Sequence, residues 1–339
     1  MSDATELSPP PAPGAAALEA VVRAGGAQLG ALLDRTEQRL VELAGGHGPT
    51  LARHAIATIS AGGKRLRPLL VFLAAGAAPD DAAQARLVRA AVAVEQIHSA
   101  SLVHDDVLDA AALRRGAPTV VASAGRTIAT ATGDLLFSRA FAELVRGGEL
   151  ADVRALSAAT SALATGELMQ RADAWNARVP VERYLRRCEL KTGSLFEAAC
   201  RLGALGGGAA APGADALALF GRRIGLAFQL LDDVLDVSGP PERTGKARGT
   251  DLLDGTVTLP LIVARERDPK LAQIDLRTLG TAQDAEEVCD AIAATGALAV
   301  AKQRALAVVA DARAGLPPLP PAQRDALELV ADGVVERYA

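Results

Sequence analysis

The stretch Ile97–Gly116, IHSASLVHDDVLDAAALRRG, decides how the rest of the chain is read. No Pro or Gly interrupts it before Gly116, and apolar residues (Leu102, Val103, Val107, Leu108) flank its acids. It reads as the end of a long buried helix tipped with three aspartates. Asp105 and Asp109 share one helix face, roughly 6 Å apart along the axis, while Asp106 is turned about 100° away from Asp105. Carboxylates in an apolar setting are costly unless something positive meets them. A hard divalent cation is the natural partner. Mg2+ takes one or two carboxylates and lets water and phosphate oxygens complete its octahedron.

The same D-D-x-x-D spacing returns in Phe228–Val237, FQLLDDVLDV, with Asp232, Asp233 and Asp236 again among apolar residues. One such run is most often a solvated face. Two in apolar helices point to helices that face each other across a cavity and clamp metal ions on a polyphosphate.

The wider sequence agrees. The chain has 339 residues, 50% hydrophobic and 22% charged, enough for a large core. A net charge of −4 gives no basic field for nucleic acid, and 3% aromatics supply no stacking platforms. Three cysteines (Cys188, Cys200, Cys289) have no metal-ligand spacing and suit a reduced, cytoplasmic compartment. Residues 1–16 are rich in Pro and Ala and are expected to be a disordered tail, with one all-α domain over 17–339. No signal-peptide pattern and no membrane-spanning apolar run is present; peripheral membrane association stays open.

Helical periodicity recurs near 17–45, 49–60, 68–77, 80–112, 126–147, 149–174, 180–206, 213–238, 251–267, 283–313 and 320–338, with Gly and Pro breakers between. No strand-length alternation stands out. The fold expected is an all-α single-domain bundle of ten or more helices around a central cavity.

Cations gather at the breaks. Lys64, Arg65 and Arg67 lie in GGKRLRP, Arg114 and Arg115 follow the first aspartate run, Lys191 and Thr192 open KTGSLFEA, and Lys246 follows the second run. Each alone reads as a solvated or ion-paired group. Together with six aspartates they suit a site for more than one polyphosphate.

These motifs, with GDLLFSRAF and the TLP at 258–260, stand in the order and spacing of one family. From about Gly62 to Pro260 the chain resembles the trans-isoprenyl diphosphate synthases, or polyprenyl synthetases. The resemblance implies an enzyme that condenses isopentenyl diphosphate with an allylic diphosphate, with Mg2+ as cofactor (three ions per active site), acting as a homodimer. Asp105, Asp109, Asp232 and Asp236 would hold the metal, with Asp106 and Asp233 as outer or alternate ligands. Arg114, Lys191 and Lys246 look like contacts to the allylic diphosphate. Lys64, Arg67, His98 and Arg115 look like the isopentenyl diphosphate pocket, and Thr192 and Gln229 resemble the polar groups facing the reacting carbons. Without the family, His98 would be an ordinary core or surface histidine, and His104 a neighbour that orients Asp105.

A prenyl tail anchored at Asp105 would run along the same helix past Ser101 and Ala100, one turn back. Both are small, which predicts a product longer than C20, with Phe137, Phe141, Leu144 or Ile97 as the floor. The chain departs from the family pattern in three places: Thr256 stands where a Lys usually precedes TLP, Ala110–Ala112 replace further acids, and Arg126 replaces an amide. A C15–C20 synthase of the same family is the alternative, followed by an all-α terpene cyclase and a non-catalytic partner subunit. The doubled aspartate motif and the basic loop weigh against those last two.

Overall fold

Glycines and prolines cut the chain into helices, and the computed structural model describes residues 15–78, 80–114, 116–239 and 248–336 of them. Residues 1–14 of the expected tail, Arg115 and Lys246 lie outside the described residues. Ten helices run up to Ser238: α1 (Ala15–Ala24), α2 (Ala27–Gly45), α3 (Gly48–Ser60), α4 (Leu66–Ala75), α5 (Asp81–Leu108), α6 (Val120–Val145), α7 (Leu150–Asp173), α8 (Val181–Cys188), α9 (Ser194–Gly206) and α10 (Ala211–Ser238). Further helices follow, the longest being Ala282–Ala294, Ala297–Ala314 and Pro321–Glu336. The architecture is all-α, as the periodicity predicted.

Boundaries differ where local chemistry overrides the period. The helix expected over 17–45 divides at Gly25–Gly26, with Gly26 at φ 83°. The aspartate helix stops at Leu108, not at 112. Ala110 takes φ 49°, and Leu113–Arg114 then pairs antiparallel with Ala117–Pro118 in a two-residue hairpin. α6 starts six residues before the expected 126, because the Thr119 side chain caps it by accepting from the Ala122 N–H at 3.1 Å. It then bends at Gly125, φ 81°.

α5 is the central post. Asp80 caps it through the Ala83 N–H at 2.8 Å, and from Leu87 to Ala100 nearly every side chain is buried. A helix apolar on all sides belongs in the interior, and α5 packs against α2, α4, α6 and α9. α10 is the second post, lying on α9 and on Ala297–Ala314. Its approach to α9 needs a glycine: a Cβ at Gly221 would stand 2.4 Å from the Phe196 carbonyl oxygen. No single helix among the described residues is long and apolar enough to cross a membrane.

Candidate active site

The two aspartate helices open onto one cavity of about 330 Å³. Asp105 and Asp109 line it from α5, and Asp232 and Asp233 from α10. Arg67, His98, Ser101, Arg114, Lys191, Thr192 and Gln229 line it too. Asp236, Ala100, Phe137, Phe141 and Lys64 are not among its lining residues. Lys64 is exposed on the α3–α4 loop.

On the α5 side, Asp106 faces away from the cavity and is buried, at 5% exposure. The Arg114 guanidinium returns along the hairpin and donates to one Asp106 oxygen at 2.8 and 2.7 Å. Asp109 accepts from Arg171 at 2.6 Å. Asp105 is left turned to the cavity. Burial pushes its carboxyl up to about 6, against the pull of Lys191.

Lys191 sits in a π-helical turn, Glu189–Gly193, between α8 and α9. α7 meets that turn closely, since a Cβ at Gly166 would lie 2.4 Å from the Lys191 backbone nitrogen. The approach brings Glu167 into an ion pair with Lys191 and Gln170 Oε1 to 3.3 Å from its Nζ. Arg171 also donates to Glu167, at 2.7 Å. Burial opposes ionisation of Glu167, but Lys191 and Arg171 outweigh it and hold the carboxyl below its ordinary range. The trio Glu167, Gln170 and Arg171 was missed by sequence reasoning. Its signal was available: G-E-x-x-Q-R puts all three on one helix face.

On the α10 side, the hydrogen bonds to Asp233 come from neutral groups. Tyr184 donates to Asp233 at 2.6 Å, Gln229 Nε2 donates to its other oxygen at 2.7 Å, and Thr192 donates to Gln229 Oε1 at 2.7 Å. Burial nevertheless raises Asp233 to about 6. Asp236 is buried and accepts from the Asp251 N–H at 3.2 Å, fastening the segment that brings Asp251 and Asp254 to the cavity. Arg187, also on the wall, donates to the Val257 carbonyl at 2.6 Å and so anchors Thr256 and Thr258.

Two basic residues of the GGKRLRP loop part company. Arg65 turns inward to Glu37 and to Glu95 at 2.8 Å and serves the fold. Arg67 lies over the Phe196 ring at 4.6 Å, and its Nε finds no acceptor among the described residues. Burial lowers its pKa to about 10, so it stays cationic at neutral pH with a donor to offer. His98 is half-buried on the wall, and Ser101 below it donates to the His98 carbonyl at 2.8 Å. His104 turns the other way, stacking on Phe137 at 5.5 Å and meeting Asp134 at 3.3 Å. Cys188, on the wall, is pushed up to about 12 by burial and is no thiolate at neutral pH.

The donor set suits a hard cation. Carboxylate oxygens face the space, yet among the described residues no three acidic, His or Cys groups converge tightly enough to hold an ion alone. That is the arrangement magnesium tolerates when a phosphate supplies the remaining oxygens.

Comparison with known proteins places this geometry. The polyprenyl synthetase family model matches residues 49–295. The chain is 36% identical over 330 residues to the nonaprenyl diphosphate synthase of Mycobacterium tuberculosis, covering 96% of each. It is 41% identical over 248 residues to heptaprenyl diphosphate synthase component 2 of Geobacillus stearothermophilus, covering 73% of this chain and 76% of that one. Among solved structures, a decaprenyl diphosphate synthase from Rhodobacter capsulatus matches with TM-score 0.86 and 31% identity, over 95% of this chain and 99% of that chain. The polyprenyl synthase of Caulobacter crescentus, complexed with calcium and isoprenyl diphosphate, matches with TM-score 0.85 and 34% identity, over 95% and 98%.

Proposed function

Because the chain belongs to the polyprenyl synthetase family, we propose that it condenses isopentenyl diphosphate with an allylic diphosphate in the aspartate cavity, releasing an all-trans product longer than C20. The single observation that carries this is the shared cavity: acids from α5 and α10 line one wall system together with Arg67, Lys191 and Arg114.

Asp105, Asp109 and Asp232 would hold magnesium, which when bound neutralises the departing diphosphate. Lys191, released from Glu167, and Arg114, released from Asp106, would meet the allylic diphosphate with charge-assisted bonds. Asp236 is assigned to the metal by the motif alone; it does not line the cavity, and one of its oxygens holds the Asp251 backbone N–H. Arg67, with its unmatched Nε, and His98 would receive isopentenyl diphosphate. Lys64, Arg115 and Lys246 remain assigned to the diphosphates by the motif alone. Thr192 and Gln229, locked to each other, would direct polar atoms at the allylic carbons as the C–O bond ionises. Leu102, Leu163 and Phe228 give the cation a dry wall. The isopentenyl double bond would attack the carbocation left by C–O cleavage, forming the new C–C bond, and the proton then lost from the isopentenyl unit would go to the departing diphosphate.

The proposed product length rests on two small side chains, Ser101 on the cavity wall and Ala100 buried beside it outside the lining. The heptaprenyl, nonaprenyl and solanesyl synthases among the relatives support the same class. Magnesium dependence and a homodimer belong to this reading, and the component 2 relative makes a heteromeric partner the alternative to the homodimer. Purified protein given Mg2+, isopentenyl diphosphate and farnesyl diphosphate should yield products beyond C20 by chromatography. Termination at C15 or C20 refutes the length, and turnover of allylic diphosphate alone would mark a cyclase.

A further inference from the structure

Away from the aspartate cavity, a second hollow of about 390 Å³ opens between α2, the N-terminal half of α5 and the C-terminal end of α6. Arg35, Arg39, Arg89 and Arg146 line it, against Glu42 and Glu143. Four cations less two anions leave +2 in this hollow, in a chain whose net charge is −4.

The two glutamates are both turned onto one arginine. Arg39 donates to Glu143 at 3.0 and 2.8 Å and to Glu42 at 2.9 Å. Three arginines keep donors to offer. Arg35 bonds the neutral Gln84 at 2.9 Å, and Arg146 approaches Glu143 only to 3.9 Å. Arg89 is half-buried and has no hydrogen-bond or ion-pair partner among the described residues. It is nonetheless held in place: a Cβ at Gly147 would lie 3.1 Å from its Nε, so the α6–α7 turn packs against the guanidinium. A guanidinium presents its N–H groups as a rigid fork that fits two phosphate oxygens at once, and a hollow with a net positive lining attracts an anion.

We propose that this hollow binds a phosphate-bearing anion, with Arg35, Arg89 and Arg146 donating to it and Arg39 fixing the wall through Glu143. The site is separate from the aspartate cavity and does not depend on the reaction assigned there. Its phosphate comes either from a free phosphate or diphosphate, or from the headgroup of an anionic lipid.

The test uses the full chain. Calorimetric titration with inorganic diphosphate in EDTA, which removes metal-assisted binding at the aspartates, is run on wild type, on R35A/R89A, and on R67A as a control for the other cavity. Wild type and R67A should show the binding event, and R35A/R89A should weaken it about tenfold or more without changing melting temperature or kcat. R89Q alone, which removes the charge but keeps most of the bulk, should weaken it in the same direction and covers the case where the double variant folds poorly. A parallel arm sediments the same proteins with phosphatidylglycerol or phosphatidylcholine vesicles. Loss of phosphatidylglycerol binding in R35A/R89A, with no response to free diphosphate in wild type, assigns the phosphate to a lipid. Equal binding by wild type and R35A/R89A to both probes, or binding to neither, overturns the proposal.

Discussion

The tips of α5 and α10 carry the same D-D-x-x-D spelling, yet the fold treats them differently. On α5 the acids beside Asp105 are matched by cations: Asp106 by Arg114, and Asp109 by Arg171. On α10 the acid beside Asp232 is held by a phenol and an amide, and Asp236 takes a backbone N–H. Charged partners can be drawn off by an incoming diphosphate, because they satisfy phosphate oxygens as well as carboxylates. Neutral donors locked into the core stay put. On the proposed function, the partners of Asp106 and Asp109 are therefore expected to rearrange on loading, while the donors to Asp233 stay fixed.

The largest effect should come from the acids both tips turn to the cavity. Asp105→Ala and Asp232→Ala should each lower kcat by about 10³, the scale for losing one preorganised electrostatic contact. Steady-state assays check this, and a tenfold or smaller loss at either position would break the symmetry at the cavity face. Asp236→Asn should cost activity far less than Asp232→Asn and should show instead as a lowered melting temperature, because Asp236 braces backbone.

Tyr184→Phe probes the fixed side. It removes one hydrogen bond to a buried carboxylate, worth about 1–3 kcal/mol of stability. Thermal melts should shift down while KM for isopentenyl diphosphate holds, since Arg67 and His98 are untouched. Arg171→Met probes the mobile side, where a half-exposed pair contributes at most about 1 kcal/mol. It should alter KM for the allylic diphosphate more than stability.

The smallest effect concerns pH. Asp105 and Asp233 are both raised to about 6, so the folded chain holds these protons more tightly than the unfolded chain. The stability they contribute is full below the ordinary carboxylate value near 4. It is lost as pH rises through about 6. Metal-free protein should accordingly melt a little higher at pH 7 as Asp105→Asn than as wild type, by a free energy of about 1 kcal/mol. Magnesium affinity of wild type should weaken as pH falls below about 6, because protons and metal compete for Asp105. Scanning calorimetry reads the first and titration calorimetry at several pH values the second.

Much of this was legible in the residues. Helical periodicity exposed the bundle, and the twin aspartate runs located its cavity, because both are short-range patterns. What the sequence concealed was pairing at long range. Nothing local to Asp106 shows that Arg114 returns on a hairpin to cover it, since that depends on Ala110 at positive φ. Glu167, Gln170 and Arg171 look like a solvated helix face until Gly166 lets α7 close on the π turn at Lys191. Arg65 and Arg67 are two residues apart in one basic loop, and only the tertiary positions of Glu37, Glu95 and Phe196 divide a structural arginine from one at the site.

In the proposed function α5 and α10 grip one metal–diphosphate complex between them. Anomalous diffraction from crystals soaked with Mn2+ and a non-hydrolysable allylic diphosphate analogue tests it most directly. The predicted map shows manganese bridging the analogue to Asp105 and Asp109 on one side and to Asp232 on the other. Manganese confined to one helix tip, or diphosphate density outside the cavity these residues share, would contradict it.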